Sequence, residues 1–327
     1  MTVQDARLVA HTAPPPPATL ATGAHPMRTR QTGTGPLRRW VRKDGPGMLL
    51  FALPMMISFA VFGWWPILRS LVLSVQHTNF VGPAEWVGLD NFARVLADPL
   101  LGTAVLNTAW YTVLAIVIGF PLPVLLAVFI AELRRTRTIA SVFAYIPVIL
   151  PPVVAVLLWK QFYDPSANGL FNTMLGWVGL GPVPWLQNAL LAMPSIVVQA
   201  TWAGFGGTTI IYLAALMAVP PELYEAAEVD GARVLRRFWH ITLPQLRTVI
   251  LFMLLLQVIG TFQVFTEPYV MTGGGPNNST TTILMLIFRY AFVSGDYGKA
   301  TALSLMLAVF LCLMSALYLW LTRKWAK

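Results

Sequence analysis

The sequence is short of charge and of cysteine. Of its 327 residues, 11% are charged and 57% are apolar, whereas soluble domains carry about 25% charged and about 45–50% apolar residues. A soluble globule with so little charge could not cover its surface, so the composition predicts a protein whose solvent is the lipid bilayer. The single cysteine, Cys312, excludes a disulfide framework and a multi-cysteine metal site. These shortages argue against most soluble enzyme folds.

Histidine is also scarce, and the formal net charge of +9 is not gathered into one patch. The four histidines are His11, His25, His77 and His240. They are too scattered along the chain to indicate a metal site. The basic residues stand at the ends of apolar stretches, so they indicate membrane topology and not binding of nucleic acid.

Six apolar stretches predict an all-α membrane protein with six transmembrane helices. Each stretch has the roughly 20 residues needed to cross about 30 Å of hydrocarbon. Proline interrupts several of them, and such breaks are tolerated where neighbouring helices or water satisfy the freed carbonyl groups. The stretches lie near residues 47–75, 105–131, 139–161, 190–217, 246–270 and 299–322.

Residues 1–46 differ from the rest of the chain, with the proline run Pro14–Pro17, small polar residues and a basic end. This composition predicts a disordered cytoplasmic tail that precedes a membrane domain at 47–327. With both termini cytoplasmic, most of the 22 lysines and arginines fall on the inner side of the cell membrane, as the positive-inside rule requires. The basic residues left on the outer side or at outer helix ends are Arg69, Arg94, Lys160, Arg289 and Lys299.

A polar stretch between the fourth and fifth apolar stretches predicts a short helix. It reads PPELYEAAEVDG, from Pro220 to Gly231. The two prolines suit a helix start, the acidic residues favour its positive end, and the glycine suits a left-handed stop. Leu223, Ala226 and Ala227 would form a small apolar face that another backbone can approach closely. By composition alone, an amphipathic helix on the lipid headgroups is the simpler interpretation.

The spacing within this stretch favours a more specific interpretation. Glu225-Ala226-Ala227 is followed after three residues by Gly231, and after nine more by Ile241-x-Leu243-Pro244. This long, ordered pattern resembles the EAA loop of ABC importer permeases. The loop also lies on the side that the charge distribution assigns to the cytoplasm.

Two other segments carry the same resemblance. Trp86–Phe92 follows the first apolar stretch and Thr272–Pro276 precedes the last, and both look like segments of carbohydrate-type permeases. Over residues 47–325 the chain is similar to the maltose and glycerol-phosphate transporter group, in particular to the permease that comes first in each heterodimeric pair. The resemblance implies a type I importer permease, with six transmembrane helices and a cytoplasmic coupling helix in a loop at about 220–244.

The resemblance also implies a mechanism, in which the loop helix docks on a cytoplasmic ATPase subunit. By position, Glu225 would face the ATPase, and Ala226 and Ala227 would supply the close-packed face. Gly231 would provide the turn that lets the helix fit. The segment Leu243-Pro244, which ends the motif, is expected to bend the chain into the fifth span.

The partners implied by the resemblance are two ATPase subunits, a second and non-identical permease, and an extracytoplasmic binding protein that delivers a sugar or polyol. The chain lacks the G-x-x-x-x-G-K-[ST] motif, and Gly204–Gly207 has no lysine after it. We therefore expect no cofactor in this chain, and ATP to be hydrolysed by a partner subunit.

A polar solute needs hydrogen-bonding groups at mid-membrane depth, where such groups are expensive to keep. Gln257 and Thr261 lie four residues apart on one face of the fifth span, with Gln263 and Glu267 further on. The resemblance to maltose-type permeases places the transport pathway in the fourth and fifth spans. The predicted pathway residues are Trp202, Gly204, Gln257 and Thr261. Hydrogen bonding between helices is the alternative interpretation.

Two other function classes fit the sequence less well. A membrane enzyme needs facing acid–base or metal-binding groups, and a channel or secondary carrier is typically marked by charged mid-span residues or an inverted repeat. The apolar stretches contain neither pattern. The sequence therefore predicts a transport subunit that is not an enzyme and that contacts lipid, protein partners and a small solute, but no nucleic acid.

Overall fold

The computed structural model describes residues 45–133 and 135–323. The predicted tail at 1–46, except for its last two residues, lies outside them. The described chain is helical apart from one hairpin, β1 (Gln76–His77) with β2 (Glu85–Trp86). The α-helices are α1 (Gly45–Phe59), α2 (Trp65–Ser74), α3 (Asp90–Leu96), α4 (Pro99–Leu114), α5 (Pro121–Glu132), α6 (Arg137–Ile149), α7 (Pro152–Phe162), α8 (Leu170–Gly176), α9 (Ala189–Met217), α10 (Pro221–Val229), α11 (Val234–Arg237), α12 (Leu243–Phe262), α13 (Thr266–Thr272), α14 (Ile283–Phe288) and α15 (Tyr297–Thr322). The π-helical segments are Ala60–Trp64, Ala115–Gly119, Phe238–Thr242 and Arg289–Val293.

Continuous runs of these helices are long and apolar enough to cross a membrane. They are Gly47–Ser74, Pro99–Glu132, Ala189–Met217, Val234–Phe262 and Tyr297–Thr322. A sixth span is obtained if α6 and α7, which meet at 94°, are counted together. The predicted all-α membrane fold with six spans is therefore confirmed, with the third span broken. Apolar side chains of α1, such as that of Phe51, are exposed, as expected for a helix that contacts lipid.

The third apolar stretch, one of those that proline interrupts, forms two helices in the structure. Leu150 is extended, with φ −67° and ψ 135°, because a residue that precedes proline is disfavoured in the helical region. Pro151 is extended as well, and Pro152 then starts α7, at a position where its missing N–H is not needed. Two consecutive prolines thus divide the stretch into two short helices.

The fifth span also differs from its predicted bounds of 246–270. It begins at Val234, so the segment after Gly231 is continuous with it, and it ends at Phe262. The chain does not break at Leu243-Pro244, because a π-helical segment precedes this pair. The separate helix α13 carries Glu267, which therefore does not belong to the span.

Proline explains the position of most π-helical segments. The first three of them end two residues before Pro66, Pro121 and Pro244. A proline lacks an N–H and its ring clashes with the carbonyl four residues back. In the π-helical segment before Pro121, the N–H of Phe120 donates to the carbonyl five residues back, that of Ala115, at 2.9 Å. A helix adjusted in this way continues through the proline.

The fourth span is the centre of the packing. The helix α9 packs against α5, α6 and α12 around Tyr212, Ile130 and Leu246, all fully buried. Gly206 allows α9 to approach α6 closely, because a Cβ atom there would lie 2.0 Å from the carbonyl oxygen of Ala144. Gly206 is therefore a close-packing position between the third and fourth spans.

Two of the basic residues assigned to the outer side are held in ion pairs. Arg94 pairs with Asp296. The Nζ atom of Lys299 lies 2.7 Å from the carboxylate of Asp98, which also accepts a hydrogen bond from Tyr290. Burial raises the pKa of the Asp98 carboxyl, but the hydrogen bonds it accepts outweigh burial and leave the pKa below its ordinary value. These pairs join α3 and the start of the second span to the start of the sixth span.

Candidate functional site

The predicted loop helix is present as α10. It starts at Pro221, with Glu222 in its first turn. Gly231 ends it with φ +73°, in the left-handed region that glycine enters at little cost. The N–H of Ala232 donates to the carbonyl of Ala227 at 2.8 Å, and the N–H of Gly231 donates to Glu228 at 3.0 Å. This pair of bonds is a Schellman stop, so the predicted role of Gly231 as a helix stop is confirmed.

Side chains of α10 contact the N-terminal end of the fifth span. The hydroxyl groups of Tyr224 and Thr242 lie 3.2 Å apart. Arg237 forms an ion pair with Glu228, and another of its nitrogens lies 3.9 Å from the carboxylate of Glu132, at the end of α5. The Arg237 side chain is only 11% exposed. Side chains therefore connect α10 to the second and fifth spans.

The outward side of this loop is not covered by the rest of the described chain. Glu225 and Ala226 are exposed, and Ala227 is half-buried. Large apolar side chains stand beside them, with Val229 88% exposed and Leu235 71% exposed. Exposed apolar groups among carboxylates are typical of a surface that another protein covers. Of the two residues that end the motif, Leu243 is half-buried and Pro244 is exposed.

A cavity of about 760 Å³ lies between the second, fourth and fifth spans and α13. Three of the four predicted pathway residues line it, namely Gly204, Gln257 and Thr261. Trp202 does not line it. Its ring centroid lies 5.4 Å from that of Trp159, in a cluster of aromatic side chains.

Two polar side chains of the cavity wall are engaged within the protein. Gln257 donates from Nε2 to the carbonyl oxygen of Ala115 at 2.8 Å, the same oxygen that accepts the N–H of Phe120 in the π-helical segment. Thr261 donates to the carbonyl of Val258 in its own helix at 2.9 Å. Hydrogen bonding between helices, the alternative interpretation, therefore describes the amide of Gln257.

The cavity also contains a carboxyl group, that of Glu267 in α13. Burial raises the pKa of this carboxyl above its usual value. In the sequence, Glu267 falls at the end of the fifth apolar stretch and is not among the predicted pathway residues. A signal was available, because Glu267 is an acidic residue directly followed by Pro268, and proline is common just after a helix start.

In the part of the chain that the structure describes, no three histidine, cysteine, aspartate or glutamate side chains come together as ligands. The site thus consists of a solute-sized cavity between spans and an uncovered helix at one end of them.

A comparison with known families decides what class of protein has this arrangement. Residues 119–327, which include α10 and most of the cavity wall, match the family of binding-protein-dependent transport system inner membrane components. The chain belongs to this family. It is therefore a membrane permease component of a transport system, and not an enzyme.

Individual relatives of the permease are similar over most of its length. The arabinooligosaccharides transport system permease AraP of Halalkalibacterium halodurans is 35% identical over 81% of this chain and 85% of its own. The trehalose/maltose transport system permease MalF of Thermococcus litoralis is 33% identical over 83% of this chain and 91% of its own. A permease chain of a bacterial alginate ABC transporter, solved in complex with an alginate pentasaccharide-bound periplasmic protein, matches with 28% identity and a TM-score of 0.78, over 89% of this chain and 99% of that one.

The permease has features that sequence reasoning missed. The π-helical segment Ala115–Gly119 forms part of the cavity wall and directs the Ala115 carbonyl toward Gln257. Gly119 lets this segment approach the fourth span closely, because a Cβ atom at this position would lie 2.9 Å from the hydroxyl oxygen of Thr201. Pro121, two residues after the segment, was the signal for it.

Proposed function

We propose that this permease forms half of the pathway for a sugar or related polyol that an extracytoplasmic binding protein delivers. The names of its relatives support a carbohydrate, since they concern arabinooligosaccharides and trehalose or maltose. The alginate transporter was solved with a periplasmic protein that carries a saccharide. A cavity of about 760 Å³ with hydroxyl and amide groups in its wall suits such a solute. Within it we assign Gly204, Gln257 and Thr261 to the pathway, and leave Trp202 with the aromatic cluster.

We also propose that α10 couples the permease to a separate ATPase. The observation that carries this proposal is an uncovered helix joined to the foot of the fifth span by Arg237 and Tyr224. In this arrangement Glu225, Ala226 and Ala227 contact the ATPase. Gly231 sets where the helix ends, and Leu243-Pro244 starts the rigid helix that carries the motion into the membrane.

The remaining partners and the topology are part of the same proposal. Two ATPase subunits hydrolyse ATP, and this chain binds no cofactor. A second, non-identical permease completes the pathway. Both termini lie in the cytoplasm, with residues 1–46 as a basic tail before the membrane domain at 47–327. The bias of lysine and arginine toward the inner side supports this orientation.

Affinity purification of the tagged chain from gently solubilised membranes tests the proposal. We compare the wild type with the double variant Glu225→Lys, Gly231→Val, and use Glu222→Lys in the first turn of α10 as the matched control. We expect a second permease and an ATPase to co-purify with wild type and control, and the double variant to lose only the ATPase. A stable chain that arrives alone in every case would contradict the importer function and favour a membrane enzyme.

A further inference from the structure

The charge of the central cavity differs from that of the chain as a whole. The protein carries a formal net charge of +9, yet none of the described residues that line the cavity is lysine, arginine or histidine. The charged side chain among them is that of Glu267. The other polar lining groups are hydroxyls and amides, such as those of Thr201, Thr208 and Gln263.

The Glu267 carboxyl has no cationic partner among the described residues. The basic side chain that contacts α13 is that of Lys160, and its Nζ atom donates to the carbonyl of Val270 at 3.1 Å. Lys160 lines a neighbouring outer cavity and not the central one. Elsewhere at the outer end of the protein, carboxylates are paired, as Asp98 is with Lys299. Glu267 is therefore a carboxyl group that the fold leaves without a cationic partner beside the proposed pathway.

We infer that Glu267 is a specificity-determining residue, which makes the cavity accept neutral saccharides and exclude those that carry carboxylates or phosphates. This inference rests on the proposed function, because it names the substrate class of the same pathway. It separates this permease from its alginate-importing structural relative, whose solute is acidic.

The physical reason is the cost of placing like charges in one partly dehydrated space. An anionic solute beside Glu267 meets a second negative charge where water screens poorly. The alternative is that one of the two carboxyl groups takes up a proton, as when two carboxylates share a site. A neutral saccharide avoids both costs, and its hydroxyl groups can donate hydrogen bonds to the Glu267 oxygens.

The experiment measures the sign of the charge in the cavity without relying on transport. The exposed Cys312 is replaced by alanine, and Thr261→Cys provides a reporter thiol in the cavity wall. The full chain in membrane vesicles is treated with cationic and anionic methanethiosulfonate reagents of similar size. Charged clefts change local ion concentrations by about tenfold or more, so we expect Glu267→Gln to lower the cationic-to-anionic rate ratio about tenfold. Glu85→Gln, at an exposed carboxyl on the hairpin, is the matched control and leaves the ratio unchanged.

Protection of the reporter thiol then tests the substrate class. We expect maltotriose to slow modification in wild type and in Glu267→Gln, and trigalacturonate to slow it only in Glu267→Gln. A rate ratio that Glu267→Gln leaves unchanged overturns the inference, whatever the saccharides do. Equal protection of the wild type by both trisaccharides overturns it as well. A lowered ratio without protection by either trisaccharide contradicts the proposed saccharide pathway, and with it the assigned substrate class.

Discussion

The loop that contains α10 and the central cavity use their polar side chains in opposite ways. On the loop, Glu225 faces outward uncovered by the rest of the described chain. In the cavity, Gln257 and Thr261 both donate to backbone carbonyls. Polar groups in a membrane interior must be satisfied within the protein, whereas water satisfies those of a loop until a partner covers them. A docking surface is therefore visible as uncovered side chains, but a pathway residue resembles a structural one.

The largest effect is expected from a change in the packing of α9 against α6. Gly206→Ala would put a Cβ atom 2.0 Å from the carbonyl oxygen of Ala144, so α9 and α6 must separate. Overpacking of this kind costs about 1–3 kcal/mol, and we expect a lower midpoint of thermal unfolding for the purified permease. Gly204→Ala is the matched control, because its Cβ atom would meet nothing within 4 Å. An equal midpoint for the two variants would contradict the close packing at Gly206.

The loop is expected to fail in function while the fold persists. Gly231→Ala forces a side chain into the left-handed region at φ +73°, at a cost of about 1–2 kcal/mol. The last turn of α10 would then move, and we expect ATPase stimulation in the assembled complex to fall about tenfold, in proportion to that cost. Gly207→Ala serves as the control, since it has free space and no positive φ. A lower unfolding midpoint with normal stimulation would mean that Gly231 serves the fold and not coupling.

A third variant separates the pathway function of Gln257 from its structural one. Gln257→Met removes the bond to the Ala115 carbonyl, and such interhelical bonds contribute about 0.6 kcal/mol. Tyr318→Phe removes a similar bond between spans, from Tyr318 to the carbonyl of Leu251. We expect similar small losses of stability in both, and a rise in the KM for solute uptake only in Gln257→Met. Equal uptake in the two variants would make Gln257 purely structural.

The smallest effect is expected from weakening the contact between α10 and the fifth span. Glu228→Gln weakens the ion pair with Arg237, and Glu228 is largely exposed, so the loss is about 0.2–1 kcal/mol. Thermal unfolding should change little, and ATPase stimulation should fall less than in Gly231→Ala. Glu222→Gln in the first turn of α10 provides the control. If ATPase stimulation fell further than in Gly231→Ala, the contacts between α10 and the spans, and not the docking surface, would limit coupling.

Sequence reasoning predicted the loop better than the cavity. The loop helix follows from local signals, namely the Pro220-Pro221 start and the Gly231 stop, which act within one or two turns of chain. The cavity depends on side chains from separate spans, such as Gln257 against Ala115, which are 142 residues apart. Trp202 shows the limit, because its position in the span does not reveal that its ring faces Trp159.

The sequence by itself determined that this protein lives in the bilayer, that it has six apolar stretches, and that an EAA loop lies between the fourth and fifth. These properties depend on composition, on run length and on local spacing, all of which are written along the chain. Tertiary structure alone decided that Gln257 meets the Ala115 carbonyl, that Trp202 packs on Trp159, and that Glu267 faces the cavity. Such features depend on which carbonyls and side chains meet across helices, and packing of distant segments determines those contacts.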